Sequence, residues 1–162
     1  MLPVAGVDYG VLDSLLGYSL RRAQNALYLD FDRATSAFDI SPQRYAALVI
    51  IGANADIHQG LLAEAMGIDR SGALRLIDWL AGRNYVERRG NLADARRWGL
   101  HLSPAGAETL AAMTEAVLQH DGALAARVAA GSEGAALKTL LDQFVETFKA
   151  TVEAESAARK AP

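Results

Sequence analysis

The chain has no cysteine, only four prolines and few aromatic residues among its 162 positions. Without cysteine there can be no disulfide, thiol catalysis or thiolate metal site, and this absence is typical of a reducing cytosol. No apolar run reaches the roughly 18 residues of a membrane span, and the N-terminus has no basic start followed by an apolar block. We therefore expect an unprocessed cytoplasmic protein that does not contact a membrane.

Catalytic motifs are also scarce. His58, His101 and His120 are far apart and show no metal-ligand spacing such as HExxH. The sequence contains neither GxSxG nor a phosphate-binding loop. We predict that the protein is not an enzyme and uses no metal and no cofactor.

Arginine is concentrated in one part of a chain that is acidic as a whole. The formal net charge is −3, yet seven of the thirteen arginines lie within residues 70–101, which carry a net charge of +4. A basic segment in an acidic protein is typical of phosphate binding.

Apolar spacing predicts mostly helices. The period of three or four residues from Tyr9 to Phe38 predicts one long helix. Ser41 as N-cap, Pro42 after it and Gly52 as a stop predict a second, more buried helix. Beyond residue 103 we predict a helix through about residue 128 and a last helix over about 133–154.

Between these helices the pattern predicts a helix-turn-helix followed by a hairpin. "LLAEAMG" is a short helix that ends at Gly67, and Asp69 caps a second helix that runs to about Gly82. The expected buried stripe of this second helix is Leu74, Ile77, Leu80 and Ala81. The strand-like runs "NYVERR" and "RWGLHLS" flank the turn "GNLADA". A hairpin directly after a helix-turn-helix predicts a winged helix, hence a mainly α fold with a small β-hairpin wing.

These segments together resemble the MarR family of bacterial and archaeal winged-helix regulators. The resemblance covers roughly residues 10–155, and its most specific parts are "GIDRSGALRLIDWL" and "DARR" followed by "LHLSPAG". It implies a DNA-binding transcriptional regulator that acts as a homodimer on a pseudo-palindromic operator. It also implies an N-terminal dimerisation helix (1–40), a winged helix-turn-helix DNA-binding lobe (41–103) and C-terminal dimerisation helices (104–162).

The resemblance also assigns roles to residues of the wing. Asp94-Ala95-Arg96 matches the family's wing motif Asp-x-Arg. This match implies that Arg96 enters the minor groove and that Asp94 holds its guanidinium. Arg97 is expected to contact a phosphate. Alternatively, Asp94 and Arg96 form an ordinary exposed ion pair on a turn.

In the second helix of the helix-turn-helix, the residues expected to meet DNA lie toward the N-terminus. They are Arg70, Ser71, Gly72 and Arg75. We expect Arg75 to read a base and Arg70 to be the next candidate. Alternatively, Arg75 pairs with Asp78 or Asp69 on the helix surface. Three features depart from the family pattern. His58 stands where Ser or Thr usually caps a helix, and Trp79 stands where a charged residue is common. Asn91-Leu92 replaces the frequent Asp-Pro at the start of the wing.

Many members of this family are repressors that small aromatic or phenolic anions release from DNA. The stretch "LGYSLRRAQ" is similar to regulators of aromatic-acid catabolism, some of which respond to aromatic acyl-CoA thioesters. Arginine with tyrosine suits a carboxylated aromatic ligand. The candidate ligand residues are Tyr18, Arg21, Arg22, Asn25 and Tyr45. Alternatively, the two arginines pair with Asp13, Asp30 or a partner chain, and the tyrosines pack in a dimer seam.

A rival function is a winged-helix module that binds a protein instead of DNA. In that case the wing arginines pair with an acidic partner. The two functions differ in salt response, because affinity for DNA falls steeply with salt concentration.

Overall fold

A computed structural model of the chain describes residues 4–91, 94–128 and 132–160, and the side chains of 4–90, 98–126, 135–149 and 151. The elements in chain order are α1 Leu16–Ala34, α2 Pro42–Ala53, β1 Ile57–His58, α3 Gln59–Ala65, α4 Arg70–Gly82, β2 Val86–Asn91, β3 Asp94–Leu102, α5 Pro104–Val128 and α6 Ser132–Lys160. The predicted fold class, mainly α with a small β wing, is confirmed.

The chain divides into two compact units, Met1–Leu118 and Gln119–Pro162. The first unit holds α1 to α4, the three strands and the first part of α5. The second unit holds the end of α5 and α6.

The predicted single helix from Tyr9 to Phe38 is wrong. Gly10–Ser14 form a 3-10 turn, Leu15 is extended, and α1 begins after it. A second 3-10 turn, Ser36–Phe38, follows α1. Apolar residues three apart suit a 3-10 turn as well as an α-helix, so their spacing does not show where the hydrogen-bonding pattern changes.

Helix α2 begins and is buried as predicted. The Ser41 hydroxyl accepts a hydrogen bond from the Arg44 backbone N–H, and Pro42 occupies the first turn. Ala47, Leu48 and Ile51 are buried, so this helix forms part of the core of the first unit.

The helix-turn-helix is confirmed, and His58 itself caps its first helix. The His58 Nδ1 accepts a hydrogen bond of 3.1 Å from the backbone N–H of Leu61. Gly67 has φ 62°, a left-handed conformation that glycine adopts without steric cost, and this turns the chain from α3 toward α4. A neutral imidazole nitrogen thus replaces the hydroxyl oxygen that usually accepts this bond.

The core of the first unit lies where α2, α3, α4 and the sheet meet. Its largest fully buried apolar side chains are Leu48, Leu62, Ile77, Leu80, Leu100 and Met113. The prediction that Leu74 is buried is wrong, because its side chain is 44% exposed. Ala73 and Leu76 are buried instead, so the buried face of α4 is centred one position away from Leu74.

The sheet has three antiparallel strands in the order β1-β3-β2. Strands β2 and β3 form the predicted hairpin, in which Arg88 lies opposite Leu100 and Gly90 lies opposite Trp98. Strand β1 was not predicted, because its two residues are too few for an alternating pattern.

In the second unit, α6 carries a long apolar stripe. The exposed apolar side chains of this helix are Leu137, Leu140, Leu141, Phe144, Val145 and Phe148. They repeat at helical spacing and therefore share one face. Within the described ranges, no helix is long and apolar enough to cross a membrane.

Candidate DNA-binding interface

The start of α4 is organised by the carboxylate of Asp69. Its Oδ1 accepts a bond of 2.6 Å from the Ser71 hydroxyl and one of 2.7 Å from the Gly72 backbone N–H. The Ser71 hydroxyl and then the Gly72 N–H hold the pKa of Asp69 below its ordinary value of 3.8, and the charge of Arg75 acts in the same direction. The carboxylate is therefore ionised at neutral pH and caps the helix as predicted.

Arg75 is exposed and held in place by Ser71. Its Nη1 donates to the Ser71 Oγ at 3.1 Å, one helical turn away. The alternative pairing with Asp78 is not observed, because Asp78 accepts a bond of 2.5 Å from the Arg88 Nη2. Arg75 thus lies beside a hydroxyl and a capping carboxylate on the outer face of α4.

The other predicted contacts on α4 lie around the same end. Arg70 is exposed at the first helical position, and Gly72 is half-buried. Ala73, Leu76, Ile77 and Leu80 bury the opposite face. The structure therefore brings the four predicted residues of α4 to one exposed helix end.

The wing is tied to α4 at its base. Arg88 of β2 forms the ion pair with Asp78 of α4, while Arg89 donates to Glu87 Oε2 from Nε at 3.1 Å and Nη2 at 3.0 Å. These two arginines are thus engaged by carboxylates.

The backbone of β3 begins at Asp94 and includes the predicted wing residues Arg96 and Arg97. The side chains of these three residues lie outside the described residues. Their predicted roles at DNA stay predictions.

Trp79 lies in a cluster that the sequence analysis did not find. The Arg44 guanidinium carbon is 3.7 Å from the centre of the indole ring, and the Arg83 guanidinium carbon is 4.3 Å from it. Arg83 also donates to Asp39 at 2.8 Å. The spacing of four residues between Trp79 and Arg83 was an available signal, whereas Arg44 comes from a different helix. The cluster joins the start of α2 to the end of α4.

The candidate ligand residues on α1 divide into separate groups. Arg22 donates to Asp13 at 3.0 Å, and its guanidinium carbon lies 5.8 Å from the ring centres of both Tyr9 and Tyr18. Tyr18 and Arg22 are therefore together, and the alternative pairing with Asp13 is observed. Arg21, the preceding residue, is exposed.

The two remaining candidate ligand residues lie elsewhere. Asn25 lines an open hollow of about 490 Å³ on α1, with Gln24, Tyr28 and Leu29. The Tyr45 hydroxyl lies 3.2 Å from the Thr114 hydroxyl, and its ring packs against Phe31. Within Met1–Leu118, Tyr45 therefore belongs to the packing of α1, α2 and α5.

Among the side chains that the structure describes, no group of three or more histidines and carboxylates is placed to bind a metal ion.

The chain is similar in sequence to known regulators. A sequence model of the MarR family matches residues 38–97. The putative transcriptional regulatory protein for the hcr operon of Thauera aromatica is 32% identical over 148 residues, which cover 89% of this chain and 89% of that protein.

The chain is also similar to solved structures of regulators. The transcriptional repressor CouR bound to a 23-mer DNA duplex matches with a TM-score of 0.79 and 29% identity, over 87% of this chain and 99% of that chain. CouR bound to p-coumaroyl-CoA matches with a TM-score of 0.78 and 28% identity, over 86% and 97% of the two chains. The PcaV regulator from Streptomyces coelicolor, in complex with its natural ligand, matches with a TM-score of 0.73 and 27% identity, over 88% and 98%.

These similarities confirm the family and the winged-helix fold that the sequence predicts, and MarR-family regulators are not enzymes. The chain belongs to the MarR family of transcriptional regulators.

Proposed function

We propose that this regulator binds a pseudo-palindromic DNA site as a homodimer, with α4 in the major groove and the β2–β3 wing in the minor groove. The observation that carries the proposal is the exposed start of α4, where Ser71 holds Arg75 beside the ionised Asp69. We infer a cytoplasmic location, because a regulator that binds chromosomal DNA must share a compartment with that DNA.

Arg75 is the proposed base-reading residue. An arginine that donates two bonds to guanine contributes roughly 1–3 kcal/mol of base discrimination. Holding the guanidinium through Ser71 reduces the side-chain entropy that is lost on binding. Arg70 is the next candidate base reader, and Ser71 and Gly72 lie at the same helix end, where Gly72 adds no side chain to the surface.

The wing is proposed to bind the minor groove. Asp94-Ala95-Arg96 matches the family's wing motif, and these residues belong to the outer part of β3. The minor groove of narrow segments has an enhanced negative potential that attracts arginine. We assign Arg96 to the groove, Asp94 to orienting it, and Arg97 to a phosphate.

The dimer is proposed to form through residues 1–40 and 104–162, with residues 41–103 as the DNA-binding lobe. Leu16 of α1 and Leu140 and Val145 of α6 are large apolar residues that each expose more than half of their surface. Two copies of the lobe related by a twofold axis would meet two half-sites about one helical turn apart.

The first experiment measures fluorescence anisotropy of labelled DNA from upstream of the gene that encodes the chain, at two salt concentrations. Arg75→Ala and Arg96→Ala should each weaken binding by roughly 5- to 150-fold, as expected for the loss of ~1–3 kcal/mol. Arg33→Ala, which removes an exposed arginine from the end of α1, is the control and should bind like the wild type.

The salt response separates this function from a protein-binding module. DNA binding should fall with log salt at a slope near −0.9 per neutralised phosphate. Binding that is absent, or equal in the wild type and both variants, would contradict the proposed DNA interface and favour an acidic protein partner.

We further propose that the protein is a repressor and that a small aromatic acid or its CoA thioester releases it from DNA. CouR, which matches along most of this chain, has been solved with DNA and with p-coumaroyl-CoA. Tyr18 and Arg22 form one cationic aromatic cluster, and Asn25 follows on the same helix. Arg21 adds an exposed cation, and Tyr45 adds a half-buried phenol that packs against the core of the first unit.

Release would be a population shift. A ligand that favours a spacing of the two lobes unsuited to the operator weakens DNA binding only by its differential affinity for the two states. Typical coupling changes affinity by about 5- to 150-fold.

The effector experiment adds p-coumaroyl-CoA, free p-coumarate or coenzyme A to the complex of protein and DNA. We expect the thioester or the free acid to lower the DNA affinity, whereas coenzyme A alone should not. Arg22→Ala should reduce this response, and Arg33→Ala should keep it. If several aromatic acids and thioesters leave the DNA affinity unchanged, the proposed effector class is wrong.

A further inference from the structure

Trp98 is an exposed aromatic residue on the wing that none of the functions above uses. Its relative exposure is 59%, in contrast to Leu100 two residues later on β3, which is buried. Gly90 lies directly opposite Trp98 on β2, so no cross-strand side chain covers the indole. A large apolar ring is therefore presented to solvent within the basic segment 70–101.

The register shows which side of the wing carries the ring. Residues two apart on a strand share a face, so Trp98 lies on the same face as the buried Leu100. Arg88 lies opposite Leu100, and its guanidinium bonds to Asp78 of α4. Trp98 is thus on the side of the sheet that faces α4. It lies two residues closer to the wing tip than Leu100, the residue opposite Arg88.

This position lies between the two parts of the proposed DNA interface. When α4 occupies a major groove and the wing tip occupies the neighbouring minor groove, one sugar–phosphate strand separates the two grooves. That strand must pass through the space bounded by the exposed face of α4 and the α4-facing side of the wing. Ser71 and Arg75 share the exposed face of α4 with Asp78, to which Arg88 of the wing bonds. We therefore expect this face on one side of the space and Trp98 on the other.

We propose that Trp98 packs against the sugar–phosphate backbone of this DNA strand. The ring would bury its face on deoxyribose, and its indole N–H can donate to a phosphate oxygen. Such a contact positions the wing without reading sequence. The inference rests on the proposed function, and it adds an apolar contact to an interface so far described only by charge.

The apolar nature of the contact gives it a distinct signature. Loss of an arginine that neutralises a phosphate lowers the salt slope by about one, whereas loss of an apolar contact leaves the slope unchanged. Because the contact is to the backbone, it should also be present on DNA of any sequence.

The test measures binding to a short mixed-sequence duplex at low salt, so no operator has to be known. Trp98→Ala should weaken binding by about tenfold, and Trp98→Phe, which keeps an aromatic ring, should stay within about threefold of the wild type. The slope of log affinity against log salt should be the same in all three proteins. The urea midpoint and the sedimentation coefficient should also be the same for the three free proteins, because the ring is exposed.

A second measurement follows the indole itself. The chain has two tryptophans, so the difference in emission between the wild type and Trp98→Phe reports Trp98. Acrylamide should quench this component in the free protein, and the duplex should protect it.

Three results would overturn the inference: equal binding by Trp98→Ala, a changed salt slope, or a changed oligomeric state of the free variant. The last result would show that the ring contacts protein. If the wild type binds no duplex at low salt, the proposed function itself fails.

Discussion

The Asp69 carboxylate joins helix capping to the proposed base-reading residue. It accepts from the Gly72 N–H and from the Ser71 hydroxyl, and Ser71 in turn accepts from Arg75. The sequence alone predicted the cap, because aspartate before a helical pattern is a common signal. It left the partner of Arg75 open, because side-chain geometry selects among Asp69, Ser71 and Asp78.

The lowered pKa of Asp69 predicts a pH-dependent cap. A group whose pKa is lower in the folded than in the unfolded state stabilises the fold above its unfolded pKa, and this contribution is lost as pH falls through the folded pKa. Asp69→Ala should therefore lower the urea midpoint at neutral pH, and its difference from the wild type should shrink below pH 3.8. A difference that is constant over this range would contradict the ionised cap.

Gly106 is required by close packing rather than by its backbone conformation. A Cβ at this position would overlap the carbonyl oxygen of Tyr85, which also accepts a bond from the Ser103 N–H. Gly106→Ala should therefore cost about 1–3 kcal/mol in the free energy of unfolding, measured with urea.

Gly122, on the same helix, provides the matched control. A Cβ there would meet no atom within 4 Å. Gly122→Ala should stabilise the protein by about 0.5–1 kcal/mol, because alanine is the better helix former. If both variants change the free energy of unfolding in the same direction, the Tyr85 carbonyl does not approach Gly106 as described.

Helix α4 is positioned by contacts at both of its ends. Asp69 caps its start, and near its end Trp79 lies beneath the guanidinium groups of Arg44 and Arg83. The sequence predicted the cap and the length of the helix, since both depend on neighbouring residues. It identified Trp79 as unusual but not its contact with Arg44, which comes from α2 and follows from packing alone.

The Trp79 cluster predicts a measurable coupling between α2 and α4. In a double-mutant cycle of Arg44→Ala with Trp79→Ala, we expect a coupling free energy of about 0.5–2 kcal/mol, because the guanidinium lies close to the ring face. Urea unfolding of the four proteins measures it. The distant pair Arg21→Ala and Trp79→Ala should be additive, and additivity in the Arg44 cycle would refute the stabilising contact.

At the scale of the whole molecule, the proposed DNA recognition depends on the proposed dimer. The α6 stripe has no interior role of its own, because its large apolar side chains are exposed. A continuous apolar face of this kind is typical of a helix that packs against another chain. DNA binding by two lobes at once would then depend on contacts distant from the DNA.

Charge placed on this stripe should therefore prevent the proposed dimer from forming. We expect Phe144→Glu to shift sedimentation velocity toward the monomer and to weaken DNA binding, because a carboxylate would be buried without a partner. Thr139→Glu, on the opposite side of α6, is the matched control and should keep both the dimer and DNA binding. A Phe144→Glu variant that remains dimeric would exclude this stripe from the interface.

Local patterns were sufficient for the winged-helix lobe. The Ser41 and Asp69 caps, the turn at Gly67 and the two strand-like runs each depend on nearby residues, and helices and hairpins form by short-range hydrogen bonds. Periodicity did not resolve the break at Leu15 or the exposure of Leu74, because it marks an apolar face without showing what covers it.

Only the tertiary structure decided which distant groups meet. It paired Arg22 with Asp13, placed Arg44 over Trp79, linked Arg88 to Asp78 and left Trp98 uncovered on the wing. These contacts depend on helix packing and strand register, which bring residues together irrespective of their separation in the chain. The amino-acid sequence thus determined the family and most of the elements, whereas packing and register determined which of the arginines are engaged by carboxylates and aromatic rings.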